Sequence, residues 1–170
     1  MLRPLALALL LSASATAAQT RNPQIDYAGF ERLTGEVSAY REGRLLSWTE
    51  FQAAAKQPNT LILDARSADA YAAGHIKGAV NLPFTDFTAE SLARVIGDKG
   101  RPILIYCNNN FANDRPPVMR KMVQLALNIQ TFINLVGYGY PNVRELNEVV
   151  DFTDPKIGWV KGKSPGGDLG

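Results

Sequence analysis

Short apolar runs alternating with amphipathic, capped segments predict an α/β domain: a small, mostly parallel sheet flanked by helices on both faces. Three observations support this class. Residues 60–64 (TLILD), 79–82 (AVNL), 102–106 (PILIY) and 131–136 (TFINLV) are apolar runs of strand length, bounded by proline, glycine or polar residues. Between them, apolar residues recur at helical spacing behind residues that cap helices. The chain has 170 residues, 46% of them hydrophobic, enough to bury one core without disulfide staples.

The elements follow in order. Residues 19–36 are polar, contain Pro23 and Gly35, and read as a loosely packed leader with Tyr27 and Phe30 as anchors. Residues 37–46 read as a strand, a Glu42–Gly43 turn and a second strand. Ser47 stands three residues before Glu50, the pattern of a capping box. It opens a helix with Trp48, Phe51 and Ala55 on one face, ended by Pro58. Residues 60–64 form a buried strand. Residues 67–73 are alanine-rich and suit a helix, which Gly74 stops. Residues 79–82 form the next strand, closed by Pro83, and Thr88 caps a helix carrying Leu92, Val95 and Ile96. After a turn at 98–100 comes the strand 102–106. Residues 107–115 (CNNNFANDR) switch to polar loop chemistry. Pro116 and Pro117 suit the first turn of a helix, where a missing N–H costs nothing, and Val118, Met122 and Ala126 recur along it. Residues 131–136 read as a fourth strand, Gly137 and Gly139 turn the chain, and Val143, Leu146 and Val150 mark a final helix. Residues 164–170 have the composition of a disordered tail.

The first eighteen residues stand apart. Arg3 supplies a positive start, residues 5–11 (LALALLL) an apolar stretch, and residues 12–18 (SASATAA) small residues suited to cleavage. This is the layout of a secretory signal peptide, with cleavage expected after Ala17 or Ala18. The apolar stretch is too short for a permanent span. No cysteine stands directly after the cleavage region to take a lipid anchor. The expected organisation is a signal peptide (1–18), an N-terminal extension (19–44), the α/β domain (45–152) and a C-terminal tail (153–170). The mature protein is then exported, periplasmic or secreted, with no stable membrane insertion. A net charge of +2 with scattered basic residues gives no reason to expect nucleic acid as a partner. The oligomeric state leaves no mark on these patterns.

The chain has one cysteine and one histidine. Cys107 has no intrachain partner for a disulfide, so it is an intermolecular partner, a buried bystander or a reactive thiol. Its place argues for the last. It ends an apolar strand at the sheet edge where α/β proteins bind ligands, and three asparagines that resist joint burial follow it. Inward loop amides and a helix N-terminus beyond them would favour an anion and lower the thiol pKa. Cys107 is therefore the candidate nucleophile. Asn108, Asn109, Asn110, Phe111, Ala112, Asn113 and Arg115 are the candidate anion-binding loop, with Phe111 capping the pocket or docking on the 138–140 turn. Asp64, ending its strand at the same edge, and Arg66 are candidate supporting residues. His75 and Cys107 do not make a metal set, and no cofactor is expected.

Residues 61–83 (LILDARSADAYAAGHIKGAVNLP) resemble the signature stretch of rhodanese-like domains, matching at Asp64, Arg66, Gly74, His75, Ile76, Gly78, Ala79, Asn81 and Pro83. Residues 103–107 (ILIYC) resemble the strand that delivers that family's catalytic cysteine. Residues 132–146 resemble its closing strand, glycine turn and helix. The resemblance implies a small twisted parallel sheet and a cysteine that carries sulfane sulfur as a persulfide. The sulfur comes from a small sulfur-containing anion such as thiosulfate or from a persulfide donor, and passes to a thiol or cyanide-like acceptor. It also implies that His75 is structural. The loop departs from the family pattern, in which a short loop opens with the cysteine and holds a glycine and an arginine. The first arginine after Cys107 is Arg115, eight positions on, so either the loop is longer than the family's or Arg115 swings back to its mouth. Three functions follow: a sulfurtransferase, a non-catalytic rhodanese module binding a sulfur compound or a protein, and a relative of the cysteine phosphatases or arsenate reductases. The missing loop arginine weighs most against the third, because phosphoryl chemistry needs its charge neutralised.

Overall fold

The computed structural model describes residues 22–162, so the expected signal peptide and the 164–170 tail lie outside the described residues. Helix α1 (Tyr27–Arg41) comes first, followed by strand β1 (Leu45–Leu46), helix α2 (Trp48–Ala55), strand β2 (Leu61–Asp64) and helix α3 (Ala68–Ala73). Strands β3 (His75–Ile76) and β4 (Ala79–Asn81), helix α4 (Ala89–Ile96), strand β5 (Ile103–Tyr106) and helix α5 (Leu127–Gly137) come next. Strands β6 (Val143–Leu146) and β7 (Trp159–Val160) complete the chain. Five strands form a parallel sheet in the order β1-β6-β5-β2-β4, and β3 pairs with β7 in a separate antiparallel ribbon. The expected α/β class with a parallel sheet is the observed one.

Alternation along the strands sorts the core into two faces. Leu61, Leu63, Ile103, Ile105 and Val143 pack with Leu92 and Ile96 of α4, Phe132 and Leu135 of α5 and Val37 of α1. Ile62, Leu104, Tyr106 and Leu146 face the other way, onto Phe51 of α2, Tyr71 of α3 and Ile76. Each such side chain, fully buried, contributes roughly 1.5–3 kcal/mol. The capping box at Ser47 is present: Ser47 accepts from the Glu50 amide, and the Glu50 carboxylate accepts from the Ser47 amide at 2.8 Å. Thr88 caps α4 in the same reciprocal manner with Ser91.

Several expected elements are corrected. Residues 27–41 are helical, not a loose leader: Asp26 caps α1 and Val37 is buried against α5, while Tyr27 and Phe30 are exposed and anchor nothing. No hairpin forms at 37–46; its last two residues alone make an edge strand. Residues 131–136 lie inside α5, and residues 143–146 are a strand rather than a helix. A short apolar run reads equally as a buried strand or one face of a buried helix. Here Thr131, Phe132, Ile133 and Leu135 are all buried because α5 lies between the sheet and α1.

The helix expected after Pro116 and Pro117 does not form; residues 111–126 hold only a short 3-10 turn, Val123–Leu125. Met119, Met122, Val123 and Leu125 are exposed, so a helix there has nothing to bury against. Side chains satisfy the backbone instead: Asn108 donates to Met119 O (2.8 Å), Asn109 exchanges two bonds with Lys121 (2.9 and 3.0 Å), and Asp114 accepts from the Arg120 amide (3.0 Å). Residues 153–162 also belong to the folded body. Trp159 of β7 lies against Gly74, where a Cβ would collide with the indole.

Candidate functional site

Cys107 follows β5, the middle strand of the sheet, at its carboxyl end. Strand parity places it on the same face as Ile103 and Ile105, the face that α5 covers. The chain leaves β5 through a 3-10 turn, Asn108–Asn110, wanders through residues 111–126, and only then enters α5. The helix whose N-terminus meets the thiol is thus α5, not one begun at Pro116. The backbone amides of Asn128, Asn109 and Leu127 bond toward the Cys107 sulfur. Two come from the first turn of α5, where the helix dipole adds positive potential, and one comes from the turn after β5. Three N–H groups converging on one sulfur form a cradle for negative charge on that sulfur or on an atom bonded to it.

Burial opposes this cradle. Cys107 is 1% exposed. Burial pushes its thiol above the ordinary value and the Glu145 carboxylate adds to the rise, while the three amides pull it down. The expected lowering is therefore reversed in this closed arrangement. The amides act as foreseen, but the low-dielectric surroundings outweigh them.

Beneath the cysteine runs a buried polar network that sequence reading missed. The Cys107 amide donates to Asn110 Oδ1 at 2.9 Å, and Asn110 Nδ2 donates to the carbonyls of Leu146 (2.8 Å) and Glu148 (3.1 Å). Asn128 Nδ2 donates to Asn110 Oδ1 (3.0 Å) and to Glu145 Oε1 (3.2 Å). Arg41 of α1 donates to Glu145 through Nε (2.5 Å) and Nη2 (2.9 Å). Glu145 pairs in register with Ile105, two residues before Cys107. The sequence signal for it is a charged residue at an inward position of a strand, which a helical pattern over 143–150 conceals.

The expected loop residues divide. Asn108 is half-buried beside the cysteine, and its Oδ1 has no partner among the described residues. Asn109 commits its side chain to Lys121 and offers only its amide to the sulfur. Asn110 is a buried brace. Phe111 neither caps the pocket nor reaches the 138–140 turn. It is fully buried on the opposite face, edge-on to Tyr106 and Trp159 with centroids 5.9 and 5.0 Å away. Ala112 donates its amide to Val150 O (2.9 Å), and Asn113 bonds Asp151 (2.7 Å). Arg115 is exposed with its guanidinium over the Phe152 ring at 5.5 Å, so it does not swing back to Cys107. The bridge between Phe111 and Val150 carries residues 111–115 away from the sulfur.

Asp64 and Arg66 form a buried bidentate pair, Arg66 Nε to Asp64 Oδ1 at 2.9 Å and Nη2 to Oδ2 at 2.6 Å. Tyr106 donates its hydroxyl to Asp64 Oδ2 at 2.5 Å, and Arg66 also bonds Gly74 O at 2.8 Å. Parity explains the meeting: Asp64 and Tyr106 are register partners pointing away from Cys107. The pair braces the strand ends on the face opposite the sulfur. His75, with Nδ1 2.9 Å from Tyr71 O and its ring stacked on Tyr71, serves the same packing.

A cleft of about 470 Å³ opens at the carboxyl edge, lined among others by Ser67, Asp86, Asn108, Lys121 and Leu127. Asn108 and Leu127 bring it next to the buried sulfur, and its lining holds two cations, Lys121 and Arg66, the latter paired with Asp64. Among the described residues no group of three or more His, Cys, Asp or Glu side chains is placed to hold a metal ion, and no helix is long and apolar enough to cross a membrane.

A family model described as the Rhodanese-like domain matches residues 47–148. Among solved structures, a thiosulfate sulfurtransferase from Pseudomonas aeruginosa is 22% identical with a TM-score of 0.54, over 79% of this chain and 23% of its own. The wild-type structure of EanB is 20% identical with a TM-score of 0.54, over 72% of this chain and 28% of its own. This chain thus aligns with less than a third of either protein, and at these identities the likeness is one of fold. No curated protein matches.

Proposed function

The chain belongs to the rhodanese-like domain family, and from that premise we propose that Cys107 carries sulfane sulfur as a persulfide. The observation that carries this reading is the convergence of the Asn109, Leu127 and Asn128 amides on one sulfur. In the first step the Cys107 thiolate attacks the outer sulfur of a donor, and the donor's sulfur–sulfur bond breaks. The electron pair leaves with sulfite when the donor is thiosulfate, or with a thiolate when it is a persulfide. The amides hold the charge of the resulting persulfide. An acceptor thiolate or cyanide then takes the outer sulfur and returns Cys107 to thiolate, so no external oxidant or reductant enters.

With Arg115 turned away and the Arg66 fork committed to Asp64, anion recognition rests on amides, Asn108 and Lys121. Neutral donors bind an anion less strongly than a guanidinium fork. This favours a persulfide donor of low charge over thiosulfate. It gives no support to phosphatase or arsenate reductase chemistry. The near-complete burial of Cys107 favours a second reading, a non-catalytic module that binds a sulfur compound or protein.

Mass spectrometry after incubation with thiosulfate, and separately with glutathione persulfide, tests the proposal. Gain of one sulfur on Cys107, lost on adding cyanide or a thiol and absent in Cys107→Ser, supports the carrier. No gain from either donor leaves the binding module. We further propose export, resting on Arg3, the apolar residues 5–11 and the small residues 12–18.

A further inference from the structure

We propose that Arg41, six residues before the family-matched segment, is a positioning residue for Cys107, acting through Glu145, Asn128 and Asn110. The chain of contacts is continuous. Arg41 closes α1, and α1 is fixed by Val37 in the core and by Tyr40, whose hydroxyl donates to Pro141 O at 2.6 Å just before β6. Two guanidinium bonds orient the Glu145 carboxylate, whose side chain is 7% exposed against 30% for Arg41. Glu145 then fixes the Asn128 side chain, and Asn128 fixes Asn110, which holds the Cys107 amide. Asn128 also presents its own backbone amide to the sulfur, so the ion pair sets the position of a cradle donor directly.

The ion pair also sets the charge around the thiol. A buried carboxylate without a partner is costly and works against a nearby thiolate. Other charges around the site come from every packed element. Asp64 at the end of β2 and Arg66 just beyond it neutralise each other; the cleft brings Asp86 and Lys121; Glu42 lies beside Arg41; and α5 carries no charged side chain. Glu145 is the buried carboxylate that Arg41 balances. A helix outside the matched domain thus completes the site.

The test reads the thiol, not sulfur uptake, so it stands even if Cys107 proves not to carry sulfur. The rate of iodoacetamide alkylation of the full chain is followed against pH. Removing the positive partner in Arg41→Ala raises the midpoint of the alkylation pH profile by about one unit. Arg41→Lys stays near wild type, and Arg41→Ala combined with Glu145→Gln returns toward it. An unchanged midpoint in folded Arg41→Ala overturns the proposal, whatever happens to stability. So does a midpoint in Arg41→Lys displaced as far as in the alanine variant. The lysine comparison keeps the test decisive if the Glu145 variant does not fold.

Discussion

Replacing Asn110 with alanine removes the brace beneath the reactive sulfur. Asn110 accepts from the Cys107 amide and from Asn128, and donates to the carbonyls of Leu146 and Glu148. Asn110, Cys107 and Leu146 are buried, so water does not replace these bonds without local opening. An orphaned buried group costs about 1–3 kcal/mol. Counting the Cys107 amide and the Leu146 carbonyl as newly orphaned, Asn110→Ala destabilises the protein by roughly 2–6 kcal/mol. Equilibrium urea unfolding followed by tryptophan fluorescence measures it. The same change alters reactivity. Cys107 is buried, so alkylation proceeds through opening of the turn, and opening made easier by about 2 kcal/mol speeds it roughly thirtyfold. Asn110→Asp keeps an acceptor for the Cys107 amide but loses the donor to Leu146 and brings a second carboxylate near Glu145, so it is destabilised as well. An alanine variant within about 0.5 kcal/mol of wild type, alkylated at the wild-type rate, would refute the reasoning and show that the turn is held by its backbone alone.

Arg66→Ala leaves the Asp64 carboxylate buried with only Tyr106 and its neighbouring amide as partners, and costs about 3–5 kcal/mol in urea unfolding. Loss of less than 1 kcal/mol would show that the pair braces nothing. Arg115→Ala leaves the rate of sulfur loading unchanged, because its guanidinium lies over Phe152; a tenfold slower rate in stopped-flow or mass-spectrometric assays would put Arg115 back at the site. N-terminal sequencing of protein from an extracytoplasmic fraction finds a start within a residue or two of Gln19; an intact Met1 would remove the export proposal.

Local signals were legible where one interaction dominates. Ser47 with Glu50 and Thr88 before an apolar face are complete instructions for a helix start, because the cap bonds lie within three residues. The runs 61–64 and 103–106, four residues each and bounded by turn or polar residues, are too short for a helix of their own and are central strands. The second half of the domain was not legible in this way. TFINLV is apolar along most of its length, and only its position between sheet and α1 makes it a helix. VREL places Glu145 inward, which is tolerable only because Arg41, 104 residues earlier, is there to meet it.

By itself the sequence determined the α/β class, the strand that delivers Cys107 and the polar turn that follows. These rest on contacts between near neighbours and on short apolar runs bounded by turn residues. Only the tertiary structure decided which helix faces the sulfur, that Arg115 lies elsewhere and that Arg41 lies within reach. A hydrogen bond spans about 3 Å in space whatever the separation along the chain, and no local pattern records which distant residue will supply it.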